Sequence, residues 1–94
     1  MMDLPIPYSS SPWQLRKEAR EQYNVLQNGC CYFCKGLLNS PPPKEVSSKE
    51  INWGLFPKNF LKHPIHLHHS HDTDLTIGSV HAYCNAVLWQ YYKE

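Results

Sequence analysis

The sequence predicts a small α+β fold in which two helical segments flank a pair of short strands. Three patterns support this class: helical apolar spacing after residue 12, two strand-like segments between residues 65 and 81, and a second helical pattern ending near residue 92. The 94 residues predict one domain spanning 1–94. A core of this size is marginal, so such folds usually need a staple from disulfides, a metal or a partner.

The N-terminal part contains the first helix. Residues 1–12 are rich in Pro and Ser and are expected to be extended or poorly ordered. Ser11 then suits a helix cap, with Pro12 in the first helical position. Gly29 suits a left-handed helix end. Four apolar residues at helical spacing predict a helix over residues 13–28: Leu15, Ala19, Tyr23 and Leu26.

The rest of the chain changes from turns to a hairpin and a helix. Residues 30–38 form a cysteine-bearing turn, and the prolines at 41–43 predict a stiff connector. A short helix is expected near 58–61. The segments 65–71 and 75–81 are typical of strands joined by a polar turn, and 85–92 is typical of a final helix. The apolar side of that helix is predicted to comprise Val87, Leu88, Tyr91 and Tyr92.

Two short turns contain potential metal ligands. Cys31 and Cys34 form a C-x-x-C turn (31–34), and His81 and Cys84 form an H-x-x-C turn (81–84). Two turns with this spacing can bring four ligands to one tetrahedral ion, the arrangement of structural zinc. A redox pair is the weaker interpretation, because it expects a βαβ context that the sequence lacks. Cys30 lacks the two-residue spacing to Cys34 and is expected to be a small packed residue.

Charge and hydropathy exclude few functions. The net charge of +1 neither excludes nor indicates nucleic-acid binding. No apolar run approaches the ~20 residues that span a bilayer, and the N-terminus has no signal-peptide pattern. A cytoplasmic location with reduced cysteines is therefore expected, and with it metal ligation rather than disulfides.

A histidine cluster precedes the second ligand turn. His66-Leu67-His68-His69-Ser70-His71 places four imidazoles within six residues, which alone is typical of nonspecific metal binding. Its context is more specific, because it lies between Gln27-Asn28-Gly29-Cys30-Cys31-Tyr32-Phe33-Cys34 and Gly78, followed by Cys84-Asn85-Ala86. This order of motifs resembles the recombination endonuclease VII family, part of the HNH (His-Me finger) nucleases.

The resemblance implies a ββα-metal core over residues 65–92, stapled by zinc to the cysteine turn. It implies that His69 is the general base, that His68 and Asn85 hold a catalytic divalent cation, and that His71 and His66 lie near the scissile phosphate. The cation would be Mg²⁺, Mn²⁺ or Ni²⁺. The implied substrate is DNA, cut to 5′-phosphate and 3′-hydroxyl ends in the cytoplasm of a bacterial or phage-infected cell.

The chain departs from the family pattern at several positions. His68 stands where Asp is usual, and imidazole suits manganese, nickel, cobalt or zinc better than magnesium. His81 replaces a zinc cysteine, and Ile77 replaces a basic residue before Gly78. The chain lacks the family's long helical extension, so four-way-junction cleavage is not implied, and we expect a monomer or weak dimer. Other phage DNA-processing proteins are further candidate partners.

Two further expectations concern geometry and alternatives. Successive side chains of a regular strand face opposite ways, so His68 and His69 can share a site only if the strand ends, twists or bulges there. Arg16, Lys17 and Arg20 are typical of a solvated helix face, or lie along a phosphate backbone.

The main rival to a nuclease is a catalytically silent, zinc-stabilised DNA-binding or adaptor module of phage DNA packaging. A plain zinc ribbon is the weaker rival.

Overall fold

The computed structural model describes residues 2–94 and has an α+β architecture, as predicted. A two-stranded antiparallel sheet is packed against the first helix and followed directly by the last one. In chain order the elements are helix α1 (Trp13–Leu26), helix α2 (Lys44–Ser47), a 3₁₀ turn (Trp53–Leu55), strand β1 (Ile65–His69), strand β2 (Thr76–His81) and helix α3 (Ala82–Tyr92).

Helix α1 is shorter than the predicted 13–28 and begins differently. Pro12 is its N-cap, and the Ser11 hydroxyl donates to the carbonyl of Pro7 instead of capping the helix. Ala19 in the middle of the predicted apolar face is buried, whereas Leu15 and Leu26 near its ends are exposed. The helical spacing is therefore present, but the middle of this face is buried while its two ends remain exposed.

The N-terminal segment is tied to the sheet. Residue 1 of the predicted extended segment 1–12 lies outside the described residues. Pro7 forms an isolated antiparallel bridge with Leu75, and the Tyr8 amide donates to the Asp74 carbonyl at 2.7 Å. Ile6 is buried in a small apolar cluster with Ala19 and Leu67. Of the two expectations for this segment, extended or poorly ordered, these contacts with residues distant in sequence favour the extended one.

The sheet contains the predicted irregularity. His68 pairs with Gly78, but His69 pairs with Thr76, so Ile77 is an extra residue and the register shifts between the two histidines. The predicted interruption at His68 and His69 is confirmed. Strand β1 ends at His69, earlier than the predicted 65–71, and residues 71–73 form a turn.

Helix α3 begins earlier than predicted and covers the main core. It starts at Ala82, so the turn 81–84 forms its first turn instead of preceding it. Val87 and Leu88 are buried in the core, while Tyr91 and Tyr92 of the predicted apolar side are exposed. The rest of the core comes from the cysteine turn, α2, β2 and the first turn of α3: Cys31, Leu38, Val46, Val80 and Cys84.

The connector between the cysteine turn and the sheet also differs from expectation. Residues 58–61 form turns, and the short helix of this region is α2, where Val46 is buried. Phe60 instead packs its ring against the His66 imidazole, with centroids 4.7 Å apart. Within residues 2–94, none of the helices combines the length and apolar character needed to cross a bilayer.

Candidate functional site

The two ligand turns meet as a Cys₃His cluster. The ligand atoms of Cys31, Cys34, His81 and Cys84 lie within 4.8 Å of one another, as the spacing predicted. His81 Nδ1 is 3.4 Å from the Cys34 sulfur and 3.6 Å from the Cys84 sulfur. Three soft sulfurs and one imidazole nitrogen are a standard donor set for structural zinc. The cluster can hold a metal ion, and its chemistry fits zinc.

Backbone carbonyls orient the His81 ring in the cluster. Its Nε2 lies 2.8 Å from the Leu37 carbonyl oxygen and 2.7 Å from that of Ser40. A carbonyl only accepts, so Nε2 carries the proton and Nδ1 offers its lone pair toward the sulfurs. Such outer contacts fix the tautomer and orientation of a ligating histidine. The imidazole is therefore arranged as a ligand without any change of rotamer.

The pKa values of the three clustered thiols are shifted in different directions. Contact with the Cys84 side chain lowers the pKa of Cys31 to about 4. The same contact raises the pKa of Cys84 above its usual range, and burial raises that of Cys34. Several thiolates this close together repel one another, and a divalent cation bound between them would neutralise their charge. Cys30 lies outside the cluster and is half-buried, so the expectation of a packed residue holds only in part.

The histidine cluster lies on a second site, an open cleft of about 1050 Å³ between the sheet, α1 and α3. The residues predicted for catalysis and cation binding all line this cleft: His68, His69, His71 and Asn85. His66 lines it as well. The register shift in β1 lets the adjacent His68 and His69 contribute to one cavity, which a regular strand would prevent.

Asn85 lies in the first turn of α3, beside two histidines of β1. Its Nδ2 is 3.2 Å from His66 Nδ1, and since an amide nitrogen only donates, that ring nitrogen accepts. The carbonyl oxygen is the atom of the Asn85 side chain that can accept a hydrogen bond or ligate a cation. His68 is only 2% exposed, and burial lowers its pKa, while a hydrogen bond with the Asn85 side chain acts in the opposite direction.

The His69 imidazole contacts two other aromatic rings. Its imidazole stacks on the Tyr8 ring with centroids 3.8 Å apart and planes within 8°, and the His71 ring lies at 4.9 Å. The His71 ring in turn lies 4.9 Å from that of Trp89. Burial, followed by the charge of His71, lowers the pKa of His69. Burial likewise lowers the pKa of His66. The neutral, proton-accepting form of these imidazoles is therefore favoured.

One face of α1 forms the basic wall of the cleft. Trp13, Arg16, Lys17 and Arg20 are spaced 3, 4 and 7 residues from the first, and all four line the cleft. The only carboxylate side chain among the lining residues is that of Glu94. Within residues 2–94, the buried Arg16 Nε has no hydrogen-bond partner. The sequence left open whether this helix face is solvated or lies along a phosphate backbone. Because these residues line the same cleft as the histidines, the second interpretation is favoured.

Tyr8 is a cleft residue that the sequence analysis missed. It belongs to a Pro- and Ser-rich segment without periodicity, and its contacts with His69 and Asp74 join residues more than 60 positions apart.

Comparisons of the chain with protein-family models, with curated proteins and with solved structures found no match. The Cys₃His cluster and the histidine-lined cleft are therefore the basis for proposing a function.

Proposed function

We propose that the chain is a metal-dependent HNH endonuclease that hydrolyses DNA phosphodiester bonds, with a ββα-metal core formed by β1, β2 and α3. The observation that carries the proposal is the cleft, where His68, His69 and Asn85 converge opposite a basic helix face. A structural zinc ribbon needs none of these three residues. The Cys₃His cluster has a separate role as a staple in this proposal.

His69 would act as the general base. Its lowered pKa keeps the imidazole neutral at pH 7, so it can take the proton of a water molecule as that water attacks phosphorus. The bond from phosphorus to the 3′-oxygen would break, and that oxygen would take a proton from a solvent water, leaving a 5′-phosphate and a 3′-hydroxyl. General-base assistance typically contributes ~10²–10⁴-fold to the rate.

His68 and Asn85 would hold the catalytic divalent cation. The residues present fit this role: the buried imidazole of His68, whose pKa is lowered by burial, and the Asn85 amide, whose nitrogen donates to His66 and whose carbonyl oxygen can ligate a cation. Two protein ligands leave coordination positions for water and phosphate, which catalytic sites require. When bound, a divalent cation would stabilise negative charge on the phosphate and the departing oxygen. The imidazole favours manganese or nickel over magnesium.

The basic face of α1 would hold the DNA strand beside the histidines. Arg16, Lys17 and Arg20 can contact successive phosphates, and each such contact releases condensed counterions. Replacing each by Gln should weaken DNA binding across all sequences and lower the slope of log K against log salt by about 1. Lys44→Gln, on α2 and away from the cleft, is the matched control and should leave that slope unchanged.

The decisive test is nicking of supercoiled plasmid by zinc-loaded protein with added Mg²⁺, Mn²⁺ or Ni²⁺. We expect nicking by the wild type and a ~10²–10⁴-fold loss in His69→Ala. Zinc content and circular dichroism should stay at the wild-type level, which separates loss of chemistry from loss of fold. End-labelling of the product should detect a 5′-phosphate.

Two outcomes would contradict the proposal. Equal nicking by wild type and His69→Ala would indicate a contaminating nuclease or a different base. DNA binding without nicking under any of the three metals would favour the rival function, a catalytically silent DNA-binding or adaptor module. A salt-dependence measurement on the Arg16, Lys17 and Arg20 variants distinguishes that module from a protein that does not bind DNA.

A further inference from the structure

We infer that Tyr8 is a positioning residue for His69, and that the N-terminal segment is a structural part of the catalytic cleft. This inference rests on the proposed function of His69. The observation that carries it is the parallel stack of the two rings, with centroids 3.8 Å apart and planes within 8°. A histidine that accepts a proton from water must hold its ring plane and nitrogen in a narrow range of orientations.

His69 lies where the sheet supports it poorly. The register shifts directly before it, β1 ends with it, and its side chain is only half-buried. An imidazole at such a position has few packing contacts that select one rotamer. The Tyr8 ring covers one face of the imidazole, and the His71 ring lies at 4.9 Å. Tyr8 therefore supplies the planar contact that the strand end lacks.

Tyr8 is itself held from several directions. Its amide donates to the Asp74 carbonyl at 2.7 Å, and the neighbouring Ser9 donates to the Asp74 carboxylate through both its amide (3.0 Å) and its hydroxyl (2.8 Å). Before it, Pro7 bridges to Leu75, and the Ile6 amide donates to the Thr76 hydroxyl at 3.0 Å. These contacts fix the segment to the beginning of β2, where Thr76 pairs with His69.

A third layer links the stack to the basic wall. The Arg16 guanidinium carbon lies 4.9 Å from the Tyr8 ring centroid, within the range of a cation–π contact. Arg16, Tyr8 and His69 thus form a continuous layered contact from α1 to β1. A cationic group and the proposed base therefore contact the same ring. Tyr8 thereby connects the basic wall of the cleft to His69.

The test compares three variants in the full chain. Tyr8→Phe keeps the ring and should retain wild-type nicking, since the stack uses only the aromatic faces. Tyr8→Leu keeps apolar volume but removes the planar face, and should lower kcat by about tenfold to a hundredfold with a smaller change in KM. Tyr92→Leu, at an exposed position that does not line the cleft, is the matched control and should leave kcat unchanged.

An NMR measurement tests the stacking of Tyr8 on His69 independently of nuclease activity. In NMR spectra of the zinc-loaded wild type, the ring protons of His69 should show an upfield ring-current shift from Tyr8. The shift should persist in Tyr8→Phe and disappear in Tyr8→Leu. Tyr8→Leu with wild-type kcat, or with increased kcat, would overturn the positioning role. Absence of the ring-current shift in the wild type would overturn it as well.

The proposed function fails in a different way. A wild type that shows the ring-current shift but nicks no plasmid would contradict the endonuclease proposal and the catalytic role of Tyr8, while the stack itself stands. A wild type that nicks, with His69→Ala inactive and Tyr8→Leu fully active, would contradict only the positioning role.

Discussion

Replacement of Gly78 by alanine should destabilise the protein strongly, because no space exists for a methyl group there. A Cβ at this position would lie 2.6 Å from Gln27 Oε1 and 3.2 Å from two carbons of the Tyr32 side chain. The first distance is far below an ordinary contact. The Gln27 side chain would have to move.

The cost follows from what Gln27 does. Its Nε2 donates to the carbonyls of Cys30 at 2.7 Å and Ser79 at 2.9 Å, and its Oε1 accepts from the Ser79 amide at 2.9 Å. Each hydrogen bond contributes about 0.5–1.5 kcal/mol net. Losing all three, at about 1 kcal/mol each, less a benefit of about 0.4–1 kcal/mol for replacing glycine, gives a loss of about 2 kcal/mol, and at most about 4 kcal/mol, in the free energy of unfolding.

Denaturant unfolding of zinc-loaded protein measures this loss directly. For a chain of this size, a loss of about 2 kcal/mol should also lower Tm by about 8–16 °C. Gly36→Ala is the matched control, since a Cβ there would meet only the Cys34 sulfur at an ordinary 3.6 Å. Its stability should change by less than about 1 kcal/mol. If Gly78→Ala were as stable as Gly36→Ala, the packing argument at Gln27 would be wrong.

Three further predictions concern the metal cluster, the cleft and the N-terminal segment. Purified protein should contain zinc, and Cys34→Ser should lose it, whereas Cys30→Ser should retain it because Cys30 lies outside the cluster; elemental analysis decides. His66→Ala, which removes the partner of Asn85 Nδ2, should reduce Mn²⁺-dependent nicking about 10–100-fold, with partial recovery at higher Mn²⁺; an unchanged metal dependence would contradict this. Hydrogen bonds from the Ser9 amide and hydroxyl lower the pKa of Asp74, so its stabilising contribution is present above the ordinary pKa near 3.8 and is lost as pH falls through the lowered value. Asp74→Asn, which tolerates the positive φ of 62°, should therefore be less stable than wild type at neutral pH, with the difference closing in acid, and a difference that persists there would refute the linkage.

The metal cluster was predictable from the sequence because metal geometry restricts ligand spacing. The two-residue gaps of Cys31-x-x-Cys34 and His81-x-x-Cys84 sufficed to name the four residues that the structure brings together. The hairpin was predictable from its polar turn, and the irregularity at His68 and His69 from side-chain alternation. In each case a short-range rule restricts the structure.

The contribution of the first twelve residues was not predictable in this way. Pro and Ser suggest an irregular segment but contain no information about a partner, and Tyr8 meets His69 across 61 residues of sequence. The exposure of the two ends of the apolar face of α1 was not predictable for a related reason. Apolar spacing identified Leu15 and Leu26, but packing depends on which part of the helix contacts the sheet, and that contact is long-range.

The Cys₃His cluster and the cleft share one helical turn, which gives the staple a consequence for the proposed chemistry. Cys84 is a cluster ligand, and Asn85 follows it in the first turn of α3. Successive helical residues project about 100° apart, so Cys84 points into the core and Asn85 toward β1. A metal that fixes Cys84 and His81 therefore also fixes where α3 begins, and with it the distance from Asn85 to His66 and His68. In the proposed mechanism, zinc at the cluster would affect cleavage without contacting substrate, because it would set the position of Asn85, a proposed ligand of the catalytic cation.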